Sequence, residues 1–175
     1  MARYVIVFAF AFLIFLPVDS AYSQRGRDLY YKGVEAARFG DKDFAFMYFR
    51  MFLRKHPKSE LAAGALFSLG EYYFGVFDHY DATKAFSRFI ASYPKSEAKL
   101  FALAYLLELA RDEGKKDLAE KLKKEIVTSK QLSLLFSEFK KHTYVSSFSR
   151  EYKAIFFIDK VEIYIDGEFF SKISY

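Results

Sequence analysis

A segment of this 175-residue chain occurs twice, and this repeat restricts the fold more than any other feature of the sequence. The segment GDKDFAFMYFRMFLRKHPKSE, residues 40–60, returns 37 residues later as FDHYDATKAFSRFIASYPKSE, with eight of the 21 aligned positions identical. Repeats of about 20 to 50 residues are typical of stacked supersecondary units, in which each copy buries the apolar face of its neighbour. The sequence therefore predicts an array of similar units.

Each unit is predicted to be a helical hairpin. In the first copy, apolar residues recur at positions i, i+4, i+7 and i+8, which is one face of a helix. The residues on that face are Ala45, Phe49, Phe52 and Leu53. Pro57 and Pro94 then end this helix in the two copies, because proline lacks the backbone donor and disfavours helical geometry in the residue before it. Ser59 or Ser96 follows, and each is the expected cap of the next helix.

Small residues are predicted where the paired helices cross. Gly70 on one helix and Ala82 on the next are expected to let the two backbones approach closely. Phe86 and Phe89 are then expected to fill the space toward the following unit.

These positions resemble the tetratricopeptide repeat (TPR), and the first two units match its spacing. The matching residues are Leu29, Gly33, Ala36, Ala45, Phe49, Phe52 and Pro57 in the first unit and Leu66, Leu69, Gly70, Tyr73, Ala82, Phe86, Phe89 and Pro94 in the second. A third, degenerate unit has Leu107, Lys123 and Gln131 in place of the glycine, aromatic residue and proline of the motif. The resemblance implies a mainly α fold: a TPR-like α-solenoid of about three antiparallel helical hairpins over residues 24–129, followed by a capping helix over residues 130–142.

Residues 143–175 are predicted to form a small β element, either a hairpin or a three-stranded meander. Apolar residues are concentrated in three runs, 155–158, 161–165 and 168–173, and in the second run they alternate with polar residues. Asp166-Gly167 is a strong hairpin-turn signal, and Asp159-Lys160 is a candidate second turn. A sheet this small needs a partner surface, which is either the helices of its own chain or the edge strand of another chain.

The N-terminus has the order of a secretory signal peptide, residues 1–23. Arg3 precedes a 13-residue apolar run, and the small-x-small triplet Ala21-Tyr22-Ser23 follows it. The run is shorter than the roughly 20 residues that span a bilayer, and an uncleaved anchor stays open as the alternative. The mature chain is therefore predicted to begin at Gln24 and to be secreted across the inner membrane into the periplasm. The absence of cysteine predicts no disulfide and no lipid anchor.

The sequence holds no motif typical of an active site. It lacks a nucleophile elbow, a phosphate-binding glycine loop and a metal-binding pair, and its three histidines, His56, His79 and His142, are far apart. We therefore expect no catalytic residue, cofactor or metal. Export and the interleaving of both charge signs argue against nucleic acid as a partner. The lysine-rich stretch 115–141 is either a solvated face or a weak contact to an anionic membrane surface.

The TPR resemblance also implies a partner-binding groove on the concave face of the array. Seven residues are predicted to line it: Tyr30, Phe67, Glu71, Phe74, Phe101, Glu108 and Arg111. Rigid aromatic side chains bury much area at low entropic cost, which suits an envelope protein or a peptide segment as the ligand.

The period of 37 and the pairs HPKSE and YPKSE are similar to those of secreted envelope TPR proteins, among them BamD-like outer-membrane assembly lipoproteins and the cell-division coordinator of the Tol-Pal system. The expected function is thus a non-catalytic scaffold or adaptor in the bacterial cell envelope. Two alternatives remain open: a structural protein that self-associates through its β tail, and a cell-wall glycan hydrolase that uses Glu71 and Glu108 as its carboxylate pair.

Overall fold

The computed structural model describes residues 18–128 and 140–174, with side chains from Arg27 onward. Within these ranges six helices precede four strands. The helices are α1 (Val18–Arg38), α2 (Lys42–Lys55), α3 (Ala62–Gly75), α4 (His79–Ser92), α5 (Lys99–Asp112) and α6 (Lys116–Thr128). The strands are β1 (Lys140–Val145), β2 (Glu151–Phe156), β3 (Lys160–Ile165) and β4 (Glu168–Ser174). The expectation of a mainly helical chain with a C-terminal β element is confirmed.

The starts of the helices follow the sequence repeat in part. Asp41 and Asp78, one period apart, cap α2 and α4, and their side chains accept hydrogen bonds from backbone N–H groups at 3.2 and 3.1 Å. The prediction that Ser59 and Ser96 cap α3 and α5 is wrong. Each serine accepts from the backbone N–H two residues later at 3.3 Å, within the turn that precedes the helix. The helices α3 and α5 themselves begin without a side-chain cap.

The turn within each hairpin has the same geometry in all three units. Its central residue, Gly40, Phe77 or Gly114, has a positive φ of 81°, 61° or 68°. The next residue donates its N–H to the carbonyl five residues earlier, at 2.9, 2.9 and 2.8 Å. This is the Schellman arrangement that ends helices at a left-handed residue. The period of 37 residues is therefore also a structural period.

Gly70 makes room for an aromatic ring, whereas a close approach of its backbone to Ala82 was predicted. A Cβ placed on Gly70 would lie 2.6 to 2.8 Å from three ring atoms of Phe86. Phe86 is fully buried, and its ring stacks on Tyr105 of α5 with 4.6 Å between the ring centroids. The glycine thus lets a side chain of α4 reach into the next unit, which agrees with the predicted role of Phe86.

The strands form one antiparallel sheet in the order β1-β2-β3-β4. The residues of one sheet face are buried against the helices and belong to the same core cluster: Tyr152, Ala154, Phe156, Val161, Ile163, Ile165 and Ile173. The sheet therefore packs on the helices of its own chain, which is one of the two partner surfaces predicted for it. The Asp166-Gly167 turn joins β3 and β4 as predicted, with positive φ at both residues.

The sheet has one strand more than the predicted meander. Lys140 to His142, assigned from sequence to the end of a capping helix, instead begin β1 and pair with β2. The rest of that predicted helix, residues 130–139, lies outside the described residues. The predicted turn at Asp159-Lys160 lies slightly earlier, because β2 ends at Phe156 and Lys160 already begins β3.

The N-terminal prediction concerns residues that are described only in part. Residues 1–17 lie outside the described ranges, and α1 extends through the predicted cleavage point after Ser23. A mature chain that begins at Gln24 would keep α1 from that residue onward. Among the described residues, no helix has both the length and the apolar character needed to cross a bilayer.

Candidate functional site

The four predicted groove residues with aromatic rings lie on one face of the array, and each contacts the C-terminal part of the chain. Tyr30 shares a 2.6 Å hydrogen bond between its hydroxyl and that of Ser147, in the β1–β2 turn. The other three make ring contacts with the sheet. These are Phe67 with Tyr144 and Tyr152 at 5.3 and 5.5 Å, Phe74 with Phe170 at 6.0 Å, and Phe101 with Tyr152 at 5.0 Å.

The three charged groove residues also contact the sheet. Glu71 accepts a hydrogen bond from the Tyr152 hydroxyl at 2.7 Å. Glu108 accepts from Ser171 Oγ at 2.5 Å and from Arg111 at 2.6 Å, and Arg111 also donates to the carbonyl of Lys172 at 3.4 Å. Helical periodicity thus placed all seven residues on a common face. That face is not an open groove, because the chain's own sheet covers it.

A buried carboxyl group lies at the centre of this interface. Glu71 is 4% exposed and accepts hydrogen bonds from Tyr152, from Ser146 at 2.9 Å and from Ser68 at 3.0 Å. Burial raises the pKa of Glu71 to about 7, although the three hydroxyl donors and the positive charge of Arg150 oppose this increase. The carboxyl group therefore changes its charge near neutral pH.

A chain of hydrogen bonds connects Glu71 to the protein surface. Tyr152 donates its single hydroxyl proton to Glu71, so in its 2.8 Å bond with Tyr105 the Tyr105 hydroxyl is the donor. Arg150 donates to the Tyr105 hydroxyl at 3.5 Å and to Asp166 at 2.9 Å. Burial strongly raises the pKa of both tyrosines, which keeps their hydroxyls protonated. This network joins α3 and α5 to one end of the β2–β3 pair, where β2 begins and β3 ends.

An open cavity of about 940 Å³ lies beside this network. The α1–α2 turn, the C-terminal end of α3, and the β1–β2 and β3–β4 turns enclose it. Its charged lining residues are Asp41, Lys42, Asp43, Glu71, Arg150 and Asp166. At the cavity, the boundary between the helices and the sheet stays accessible.

Exposed apolar side chains lie at the turns of the first two hairpins, and two of them line this cavity. Phe39 and Val76 line the cavity and are 82% and 52% exposed. Phe77 is 83% exposed and Tyr80 is 77% exposed, in the turn and first residues that follow α3. We call these four residues the turn-edge patch. Single exposed apolar residues are ordinary, whereas several grouped beside a cavity are typical of interaction sites.

Phe77 is unusual in conformation as well as in exposure. It occupies the left-handed position at which the other two turns have Gly40 and Gly114. A bulky residue there has a Cβ clash of about 1–2 kcal/mol that glycine avoids. The repeat shows that glycine suffices for this turn, so the phenylalanine is not required by the fold.

We therefore expect Phe77→Gly to raise the free energy of unfolding by about 1 kcal/mol. Phe39→Gly is the matched control, because Phe39 is equally exposed but has no positive φ. The control is expected to give no increase in the free energy of unfolding. Urea unfolding of both variants measures the difference, and equal effects of the two changes would show that Phe77 carries no strain.

The structure gives no support to a catalytic pair of carboxylates. Both Glu71 and Glu108 accept hydrogen bonds from the sheet, which lies where a glycan would have to bind. In the described ranges, no group of three histidine, aspartate or glutamate side chains is placed to hold a metal ion.

Sequence reasoning missed the turn-edge patch and the network through Arg150. The signal for Phe77 was present, because a phenylalanine replaces a glycine at one position of an otherwise regular repeat. No local signal marks Tyr105, Tyr152 or Arg150, since the hydrogen bonds of Tyr105 with Tyr152 and Arg150 join residues 47 and 45 positions apart.

Neither a scan against models of protein families nor a search of curated proteins finds a match to this chain. The TPR resemblance therefore depends on the spacing of the chain's own residues. The shared turn geometry of the three hairpins is compatible with it.

Proposed function

We propose that this protein is a non-catalytic protein–protein interaction scaffold of the TPR type in the bacterial cell envelope, where it serves outer-membrane protein assembly or the organisation of the envelope at division. The regular hairpins support this function, since stacked helical repeats provide a rigid frame for binding surfaces. The envelope location rests on the predicted signal peptide and on the resemblance to secreted TPR proteins.

The observation that carries the proposal is the turn-edge patch beside an open cavity. In repeat proteins of this type the concave face usually binds the ligand, but here the sheet fills that face through aromatic and hydroxyl contacts. The patch is an accessible apolar surface beside the cavity, and the fold does not need it for its own packing. We therefore assign partner binding to the turn edge and a structural role to the sheet.

Site-specific photo-cross-linking in intact envelopes tests this function. A benzoylphenylalanine in place of Phe77 is expected to cross-link to one or a few other envelope proteins. The matched control carries the same group in place of Phe169, which is 59% exposed on the sheet and is not among the residues that line the cavity. Cross-links from both positions to second copies of this chain would favour the self-associating alternative, and no protein cross-link from either position would contradict the proposal.

A further inference from the structure

The geometry points to the chemistry of the partner: we propose that the turn-edge patch and the adjacent cavity bind a polypeptide segment in which apolar or aromatic side chains lie next to a lysine or arginine. This inference rests on the proposed function, because it names the ligand class of the same surface. It concerns the turn edge and not the concave face, which the sheet already covers.

The apolar half of the site comes from the first two hairpin turns. Phe39 and Val76 occupy equivalent positions one period apart, and both line the cavity. The third turn has Glu113 at that position and Gly114 in place of Phe77. Among the three hairpin turns, exposed apolar residues at these two positions thus occur in the first two, as expected if they act together with the cavity.

Strain at Phe77 is a second, independent observation. A glycine at the same place in the other two turns gives the same backbone hydrogen bonds without the Cβ clash. Strained residues occur preferentially where a ligand or a switch requires their side chain. The 83% exposed ring of Phe77 has little contact with its own chain, so a partner is the natural source of contacts for it.

The basic half of the ligand follows from the charge of the cavity. Three aspartates line it, Asp41, Asp43 and Asp166, against two cations, and the buried Glu71 adds a fourth carboxyl group that is only partly charged near neutral pH. Arg150, one of these cations, already forms an ion pair with Asp166 at 2.9 Å. The acidic excess contrasts with the net charge of +5 for the whole chain, so the cavity attracts cations that the rest of the surface repels.

The dimensions of the cavity fit a segment of several residues. A volume of about 940 Å³ is near the upper end of the roughly 300–1,000 Å³ found for pockets that enclose drug-sized ligands. One lysine or arginine side chain would fill only part of it. The neighbouring residues of such a segment would then reach Phe39 and Phe77 at the rim.

Selection of peptides on the purified protein tests this inference directly. A phage-displayed library of random dodecapeptides is selected on the full chain, and the most enriched peptides are synthesised for fluorescence anisotropy. We expect enriched peptides to combine aromatic or aliphatic residues with lysine or arginine, and to bind more weakly as the salt concentration rises. Phe77→Gly and Asp43→Asn are each expected to weaken binding by about tenfold or more.

Two features of the design separate loss of the site from loss of the fold. Phe77→Gly is expected to be at least as stable as the unaltered protein, and Asp43→Asn keeps an oxygen that accepts the 2.6 Å hydrogen bond from Tyr72. Phe169→Ser removes another exposed aromatic side chain, this one from the sheet, and is expected to leave peptide binding unchanged.

The possible outcomes distinguish this inference from the proposed function. Enrichment of acidic or uncharged peptides, affinities that Phe77→Gly leaves unchanged, or no enrichment at all would each overturn the ligand class proposed for the turn edge. The scaffold function would survive any of these results if the photo-cross-link from position 77 still captured a partner, and would fail if that cross-link were also absent.

Discussion

Replacing Glu71 with glutamine is expected to remove most of the dependence of stability on pH between about 5 and 8. The pKa of Glu71 is about 7 in the folded protein, against 4.5 for the ordinary group. A carboxyl group whose pKa is raised by folding stabilises the fold fully below the unfolded pKa, and this contribution is lost as the pH rises through the folded pKa. The unaltered protein should thus lose about 3 kcal/mol of unfolding free energy from pH 4.5 to above 7.

Urea unfolding followed by circular dichroism at a series of pH values measures this effect. Glutamine keeps the size of the side chain and stays neutral, so Glu71→Gln should be more stable than the unaltered protein at pH 8. The two proteins differ only in this side chain, and the difference between the two profiles therefore isolates Glu71. Glu108 lies at the same interface but is only partly buried, so Glu108→Gln should keep the pH dependence of stability of the unaltered protein. Parallel profiles for Glu71→Gln and the unaltered protein would show that Glu71 is not the titrating group.

Gly70→Ala is expected to destabilise the protein by about 1–3 kcal/mol, because the new methyl group would overlap the ring of Phe86. Three atoms of that ring lie within 2.8 Å of the added Cβ. The ring cannot retreat without disturbing its stacking on Tyr105, which in turn bonds to Tyr152. The change should therefore loosen both the helical array and the sheet.

The same helix provides the control for this substitution. A Cβ on Gly75 meets no atom within 4 Å, so Gly75→Ala should stabilise the protein by up to about 1 kcal/mol through helix propensity alone. Thermal or urea unfolding of the two variants compares identical chemical changes five residues apart on α3. If Gly70→Ala were as harmless as Gly75→Ala, the packing of Phe86 against α3 would be wrong.

Local sequence signals were sufficient for the helical half of the fold. Apolar residues at helical spacing, prolines after α2 and α4, and the 37-residue period together predict three hairpins. The same periodicity placed Tyr30, Glu71 and Arg111 on one face of the array. These features depend either on neighbours within a few residues or on the stacking of similar units. Local spacing and internal repetition can both be recognised in a single sequence.

The packing of the C-terminal sheet on that face could not be predicted in the same way. Tyr30 and Ser147 are 117 residues apart, and Glu71 and Ser146 are 75 apart. β1, with the sequence KKHTYV, has two leading lysines and follows an amphipathic stretch, so its local pattern favoured the end of a helix. Pairing with β2 and burial of Tyr144 against Phe67 override that preference.

The central claim is that the C-terminal sheet occupies the face on which a TPR protein would usually bind its ligand. The chain has no cysteine, so a single engineered pair would give an unambiguous cross-link. A Cβ on Gly64 would lie 2.8 Å from Ser147 Oγ and 2.9 Å from the Tyr30 hydroxyl. The first distance is close to the roughly 3 Å between the Cβ of one cysteine and the sulfur of the other in a disulfide.

The measurement that tests this claim most directly is disulfide formation in a variant with Gly64→Cys and Ser147→Cys. The variant also carries Tyr30→Phe, because the Tyr30 hydroxyl lies close to the new side chain at position 64. Thiol titration and intact mass would follow oxidation, with Gly64→Cys plus Phe169→Cys as the control pair. We predict a nearly complete intramolecular disulfide in the folded monomer of the first variant and none in the control. Two free thiols in the folded monomer, or disulfides only between molecules, would contradict the placement of the sheet over the predicted groove residues of the helical array.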